Sequence, residues 1–340
     1  MKKLNQKILL VHDYPALHGG GVVQLNLDLA KSLIQKGSQV TIAVPEYNPD
    51  LKKLITESDQ ILVSLSSKFR EMGKKSIRIA RACGKPYKVW LHTKLPENYC
   101  DSEQGKEMQK VLSDKFCLSF ICVSQSVADD MVANFGFSLK VAVVYPGVYM
   151  AQRFEADSLN LVLKSDVLFA GRLSTEKGGD IFIRAFSKLL KNSPNLKGVI
   201  IGDGEEKNSL VELAFNLGIK KSITFLPACS REELFKYIRN TRLFCVSSRT
   251  ESFCITLAEA LALGATVVAP NRGGPIEVLD SGRFGYLFKP EDPNDLARIL
   301  KVALSENLSS KLLQKLYVMR RFNASVQFIQ MAKLVISPNW

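Results

Sequence analysis

Residues 243–264 read LFCVSSRTESFCITLAEALALG: an apolar run from Leu243 to Val246, a polar loop, and a helix-forming stretch that stops at Gly264. A second apolar run, residues 266–269, follows at once. Strand, loop, helix and strand in so short a span is the repeat of a parallel α/β sheet, whose strands return through crossover helices. The loop carries one carboxylate, Glu251, and a second, Glu259, lies one turn into the helix among Leu257, Ala258, Ala260 and Leu261. A carboxylate is costly to bury without a hydrogen-bonding partner. The helix start at Cys254, Ile255 and Thr256 offers unpaired amides and the positive end of the dipole. Two readings stay open for the segment alone: a grip for a ligand with an anionic part and hydroxyls, or a capped helix with a solvent-facing glutamate.

Outward from this segment the same alternation runs along the chain. Residues 7–12 form an apolar strand, a loop ends in Gly19, Gly20 and Gly21, and residues 22–36 have helical spacing at Val22, Leu25, Leu29 and Leu33 before Gly37. Strand, glycine loop, helix and the next strand, 39–44, make a Rossmann-like opening. Further strands of this half are expected at 60–64, 88–92, 120–124 and 141–145. A second series is expected at 167–170, 198–202, 223–226, 243–247, 266–269 and 286–288. Ser230 with Glu233 spells a capping box, and Asp292–Pro293 a cap with proline at the first helical position. The expectation is an α/β protein of two doubly wound, Rossmann-like domains facing a cleft. Residues 1–150 form the first, 151–164 a linker, 165–318 the second, and 319–340 a helical tail.

Composition narrows the class. The 340 residues are comfortable for two domains, and 46% hydrophobic with 23% charged residues describes a globular protein. No run nears the roughly 20 apolar residues of a membrane span. The basic start MKKLNQKILLVHDYP has too short an apolar run for a signal peptide and reads as a first strand. Seven cysteines without a CxxC pair point to a reducing cytoplasm, and the three histidines fall in no metal-ligand spacing. No metal and no cofactor are expected.

The net charge of +13 implies attraction to something anionic. It is densest from Lys68 to Lys94, where Lys68, Arg70, Lys74, Lys75, Arg78, Arg81, Lys85, Lys88 and Lys94 face a single Glu71, with Phe69, Met72, Ile77 and Ile79 interleaved. That pattern fits a helix on an anionic membrane surface, or a solvated helix face whose apolar side packs on its own domain. No nucleic-acid module is visible, so nucleic acid is not expected as a partner.

Four loops at strand ends carry ligand-suited residues. Gly171-Arg-Leu-Ser-Thr-Glu-Lys-Gly178 places Arg172 and Lys177 five residues apart, able to reach one diphosphate. Gly202-Asp203-Gly204 lacks the third glycine of a dinucleotide fingerprint but permits close backbone approach. The others are the Glu251 loop and the glycine loop of residues 270–277, PNRGGPIE. An NAD enzyme would want GxGxxG after the first strand, where HGGGVVQ stands.

GRLSTEKG, the GDG turn, the glutamates eight apart in ESFCITLAE, and RGGPIE together resemble the signature of retaining GT-B glycosyltransferases, glycosyltransferase family 4 (glycosyl transferases group 1). The likeness is dense from about 165 to 305 and thinner before 150. It implies a GT-B fold whose second domain binds a nucleotide diphosphate sugar, whose first binds the acceptor, and whose last helix crosses back to the first. By the same resemblance Arg172 and Lys177 would hold the diphosphate, Glu251 the donor-sugar hydroxyls, and Glu259 the ribose. Gly20, Gly21, Gly171, Gly202, Asp203, Gly204, Phe253, Cys254, Ile255 and Thr256 would line the donor site. His92, with His18 as rival, would contact the transferred sugar.

One departure stands at Cys254, where the family usually has glycine. The implied reaction is a same-face transfer in which the departing diphosphate deprotonates the incoming hydroxyl, rather than the carboxylate double displacement of retaining glycosidases. A UDP-sugar is favoured as donor. A saccharide or lipid-linked acceptor of cell-envelope or lipopolysaccharide synthesis, met at the inner face of the cytoplasmic membrane, would suit the basic segment. The same fold also hosts nucleotide-sugar epimerases and phosphorylases, and a non-catalytic sugar-nucleotide sensor is a further alternative. Asn307 and Asn323 head sequons by pattern only.

Overall fold

The computed structural model describes residues 6–12, 21–44, 50–66, 71–136, 141–149, 163–306 and 310–337. They divide into two compact units, one ending at Gly147 and joined by the residues from Ala324 onward, the other spanning Val148–Asn323.

The first unit is a six-stranded parallel sheet: β1 (Lys7–His12), β2 (Gln39–Ala43), β3 (Gln60–Leu65), β4 (Tyr87–Leu91), β5 (Cys117–Cys122) and β6 (Val141–Val143), in the order β2-β1-β3-β4-β5-β6. Its crossovers hold α1 (Gly21–Gln35), α2 (Leu51–Glu57), α3 (Glu71–Ala82), α4 (Glu103–Leu112) and α5 (Gln125–Phe135). Strands covered on both faces read as unbroken apolar runs, which is why β1, β3 and β4 stand out in the sequence. The expected strands are all present, with ends displaced by up to three residues.

The second unit repeats the plan with β7 (Ser165–Ala170), β8 (Gly198–Ile201), β9 (Ile223–Leu226), β10 (Thr241–Cys245), β11 (Thr266–Pro270) and β12 (Tyr286–Phe288), ordered β12-β11-β10-β7-β8-β9. Its helices are α6 (Gly179–Leu190), α7 (Lys207–Asn216), α8 (Arg231–Arg239), α9 (Ile255–Ala262), α10 (Gly274–Val278), α11 (Pro293–Ser305) and α12 (Lys311–Arg321). Ser230 caps α8 by accepting from the Glu233 amide, and Asp292 caps α11 ahead of Pro293. Phe169, Phe182 and Phe186 anchor its core. Chain order reverses between β10 and β7, so the loops after these neighbouring strands open at the topological switch point, where such sheets take ligands.

The final helix, α13 (Ala324–Ile336), belongs to the first unit and packs on α1 and β3. Its C-terminal carbonyls are gathered by Lys88 of β4, whose Nζ donates to the oxygens of Leu334, Val335 and Ser337 at 2.6, 3.0 and 2.5 Å. A cation at a helix C-terminus complements the dipole, while burial pulls the ammonium pKa down to about 8.

Of the two readings of residues 68–94, a helix whose apolar side packs on its own domain is the one that α3 shows. Helix α3 spans only part of the segment and buries Gly73, Ser76, Ile77 and Ala80 against its own unit. Lys88 is inside, Lys85 Nζ donates to the Ser58 carbonyl, Arg81 pairs with Asp114, and Lys94 pairs with Asp130. Lys68, Phe69 and Arg70 lie outside the described residues. Lys75 and Arg78 are left on the exposed side of α3.

Candidate functional site

Adjacent strands β7 and β10 deliver the two central loops of the second unit. The first runs from Gly171 through a 3-10 turn, Thr175–Lys177, into α6, and the second from Ser247 to Cys254 into α9. Lys177 Nζ donates to Glu251 Oε1 at 2.5 Å, and Ser248 Oγ donates to the same oxygen at 2.9 Å. Burial is the largest single influence and lowers the lysine pKa, but the Glu251 carboxylate, Cys254 and Glu176 together outweigh it and the net direction is upward. Lys177 is therefore an ammonium held at the carboxyl edge of the sheet. Arg172, five residues earlier, is exposed and forms no ion pair among the described residues.

The two loops are stitched together by residues that the sequence reading did not single out. Arg249 makes a two-pronged pair with Asp180 at 2.9 and 2.8 Å and donates to the Thr175 carbonyl at 2.7 Å. Ser247 Oγ donates to the Gly178 carbonyl at 2.8 Å, and a Cβ on Gly178 would lie 2.1 Å from the Ser247 oxygen. The available signal was position alone: Ser247, Ser248 and Arg249 follow β10 directly.

The glycine turn after β8 is required sterically. A Cβ at Gly202 would sit 1.9 Å from the Gly171 carbonyl oxygen, and one at Gly204 2.4 Å from that of Leu173. At Gly171 an added Cβ would meet nothing within 4 Å, so its surface is open. Asp203 is occupied internally: its carboxylate accepts from Lys207 Nζ at 2.5 Å and from the Ala228 amide at 3.0 Å. The Lys207 hydrogen bond, then the amide, hold its pKa below the usual value. On the other flank, the Gly274 amide donates to the Glu251 carbonyl, which ties the RGG loop to the Glu251 loop.

Cys254 caps α9 in the left-handed region, at φ 73° and ψ 72°, without a side-chain cap bond. The first amides of α9, at Ile255 and Thr256, therefore lack both an intrahelical acceptor and a capping side chain from Cys254. Phe253 is buried edge-on against Phe322, with ring centroids 5.1 Å apart. The backbone at Cys254 is the conformation glycine takes at little cost, whereas an L side chain loses about 1 kcal/mol there. Cys254→Gly is accordingly expected to leave stability within about 1 kcal/mol of wild type, strain relief offsetting lost burial. Cys254→Val should cost about 2 kcal/mol or more. Denaturant midpoints of the two variants check this.

Glu259 is 5% exposed and pairs with Arg231, the first residue of α8. Burial raises its pKa, and Arg231 pulls in the opposite direction. Arg231 also lies over the rings of Tyr149 and Phe235, at 5.7 and 5.4 Å. Nothing local marked Arg231 in the sequence, since its partner is in a different helix.

In the first unit, the carboxyl edge of the sheet carries a buried polar cluster. Ser64 Oγ donates to Asn26 Oδ1 at 3.0 Å, and Asn26 Nδ2 donates to the Val22 carbonyl at 3.0 Å while lying 3.4 Å from His12 Nδ1. His92 follows β4, 5% exposed, its ring 4.4 Å from that of Trp90. Among the described residues neither His92 ring nitrogen has a hydrogen-bond partner. Burial first, then the proximity of His12, depress its pKa to about 3. At neutral pH it is an uncharged imidazole. Gly21 is the first residue of α1, and Gly19, Gly20 and His18 lie outside the described residues.

A folded-state pKa below the unfolded value makes the His92 contribution to stability complete above about pH 6.5, and lost as pH falls from there toward 3. From pH 7 to pH 5 the chain is expected to lose about 2 kcal/mol through this group. His92→Gln should remove most of that slope in urea titrations at the two pH values.

Two parallel α/β units of six strands, with the last helix returned to the first, are the GT-B fold. Residues 153–317, nearly all of the second unit, match the family model described as Glycosyl transferases group 1. HepE of Anabaena in complex with UDP-glucose has the same fold, at TM-score 0.80 and 20% identity, covering 97% of this chain and 99% of that one. Sucrose-phosphate synthase from Thermosynechococcus elongatus follows at TM-score 0.78 and 17% identity, covering 97% and 98%. The D-inositol 3-phosphate glycosyltransferase of Streptomyces avermitilis is 35% identical over 193 residues, 51% of this chain and 41% of that one. The match thus spans less than half the length of that relative.

Proposed function

We propose that the chain is a retaining glycosyltransferase, acting without a metal, that moves a sugar from a UDP-sugar to a hydroxyl of a saccharide or lipid-linked acceptor. The observation that carries this reading is the Lys177–Glu251 pair at the switch point, beside the uncapped start of α9 and one helical turn from Glu259. Cation, free amides and carboxylates on one sheet edge match the needs of a nucleotide sugar: charge for the diphosphate, acceptors for the hydroxyls. The fold shared with a UDP-glucose complex supports UDP as the nucleotide.

In this reading Lys177 exchanges Glu251 for the diphosphate, and Arg172 reaches the same group from the exposed side. The freed Glu251 holds donor-sugar hydroxyls, Glu259 the ribose, and the Ile255 and Thr256 amides a phosphate. The bond from the anomeric carbon to the diphosphate oxygen breaks while the acceptor oxygen attacks on the same face, and its proton passes to the departing diphosphate. Lys177 and Arg172 stabilise the charge that develops there. His92, uncharged at neutral pH, contributes a hydrogen bond to the transferred sugar rather than a proton.

The acceptor belongs to cell-envelope glycan or lipopolysaccharide synthesis at the cytoplasmic side of the membrane. The net charge of +13 supports an anionic surface near the acceptor. Among the described residues no helix is long and apolar enough to cross a membrane.

The test is nucleotide release from UDP-, GDP- and ADP-sugars in the presence of a chelator, with saccharide and lipid acceptor extracts, and the anomeric configuration of the product read by NMR. Selective release with a retained anomer is expected. Release that needs a divalent ion, or an inverted product, overturns the corresponding part; products formed without an acceptor, or with phosphate alone, indicate an epimerase or a phosphorylase.

A further inference from the structure

Helix α12 turns one side inward and leaves the other uncovered. Val318 and Gln314 are buried, and Tyr317 stacks on Phe284 at 4.2 Å and donates its hydroxyl to the Glu277 carbonyl at 2.9 Å. The outward side carries Leu312, Leu313, Leu316 and Met319, which are 63%, 56%, 50% and 45% exposed. Leu312, Leu316 and Met319 stand at i, i+4 and i+7, so they form one stripe, with Leu313 at its margin. Isolated exposed leucines are ordinary, but a contiguous stripe of large apolar residues asks for an occupant.

The charges around the stripe say which occupant. Lys311 and Lys315 flank it on one side and Arg320 on the other. Residues 310–337 contain five basic residues, Lys311, Lys315, Arg320, Arg321 and Lys333, and no aspartate or glutamate. Arg321 lies near Asp280 at 3.7 Å, on the inward side, and does not belong to the rim. Beside the first turn, a pocket of about 410 Å³ is lined by Arg239, Arg242 and Lys311, with Glu306 its one acidic residue. A second copy of the chain would offer no carboxylate on this stripe to meet the bases. An anionic bilayer offers both what the leucines need and what the lysines need.

We propose that the outward face of α12 is a contact surface for an anionic phospholipid membrane, with Leu312, Leu316 and Met319 entering the headgroup boundary and Lys311, Lys315 and Arg320 meeting lipid phosphates. This moves the membrane contact from α3, whose apolar side is packed, to a helix of the second unit. Because α12 packs on α9, a seated α12 fixes the attitude of the candidate donor site toward the lipid surface. The surface stands independently of the reaction proposed above.

Flotation of the full chain with large unilamellar vesicles tests it, comparing phosphatidylglycerol–phosphatidylethanolamine vesicles with pure phosphatidylcholine at about 0.1 M salt, where screening is moderate. Wild type should float with the anionic vesicles alone. Leu312→Asp/Leu316→Asp should cut the bound fraction about tenfold with unchanged thermal melting, and Lys311→Glu/Lys315→Glu should do likewise, while Lys75→Glu/Arg78→Glu has a smaller effect. If the aspartate pair lowers the melting temperature, Leu316→Gln with Leu312→Gln takes its place. Wild type left unbound, or leucine variants that bind as wild type does, overturn the proposal. So does a solution dimer that the leucine variants convert to monomer without any vesicle binding. Nucleotide release measured on the same variants separates the two readings, since loss of flotation with release intact concerns α12 alone.

Discussion

Lys177→Ala is expected to lower turnover by about two to three orders of magnitude, the scale of removing one preorganised group that faces developing negative charge. The substitution has a second consequence that the ion pair makes plain. Glu251 would lose the ammonium at 2.5 Å and keep only the Ser248 hydroxyl. An unpaired, largely buried carboxylate costs up to a few kcal/mol, softened here because the pair is partly open to solvent. Turnover and stability must therefore be read separately. In Lys177→Ala/Glu251→Gln the orphaned charge is gone, so the melting temperature should return toward wild type while turnover stays low. A folded Lys177→Ala protein with near-normal turnover rejects the diphosphate role; a double variant that regains both turnover and stability shows that the lysine only props the loop.

Glu259→Ala is expected to reduce kcat/KM for the donor about a hundredfold, mostly through KM, the scale of losing charge-assisted hydrogen bonds to ribose hydroxyls. The pair with Arg231 is asymmetric in a way that predicts the stability effects. Arg231 keeps 31% side-chain exposure and two aromatic neighbours, whereas the Glu259 side chain is 6% exposed. Deleting the glutamate leaves a cation that water can still reach. Deleting the arginine leaves a carboxylate that water barely reaches. Arg231→Ala should therefore destabilise more than Glu259→Ala, by about 2–3 kcal/mol against about 1. Glu259→Gln retains shape and lowers kcat/KM less than alanine if it acts by hydrogen bonding. Equal donor KM for wild type and Glu259→Ala, measured by nucleotide release, removes the carboxylate from the donor site.

The strands were legible because parallel sheets covered on both faces demand apolar runs, and helix starts because Ser230 and Asp292 must satisfy free amides. The glycines of GDG and of GRLSTEKG could be picked out as loop-forming, and the reason they are needed, backbone oxygens within 2.5 Å of an added Cβ at Gly178, Gly202 and Gly204, is a property of the packed loops. Lys88 was misread for a related reason. In the sequence it is one more base in a basic segment, and its neighbours Tyr87, Val89 and Trp90 give no sign that three carbonyls at and just past the end of α13, some 250 residues on, receive it.

By itself the sequence determined the alternation of strands and helices, the plan of two doubly wound units and the loops that gather at the strand ends, because these follow from local propensity and from burial with a period of its own. The tertiary structure alone decided which charges are spent. Lys88 is used by α13, Arg231 by Glu259, Lys177 by Glu251, and the leucines of α12 are left outside. Pairings between residues tens to hundreds of positions apart depend on where whole elements pack, and a pairwise bond of that kind leaves no periodic trace in the chain.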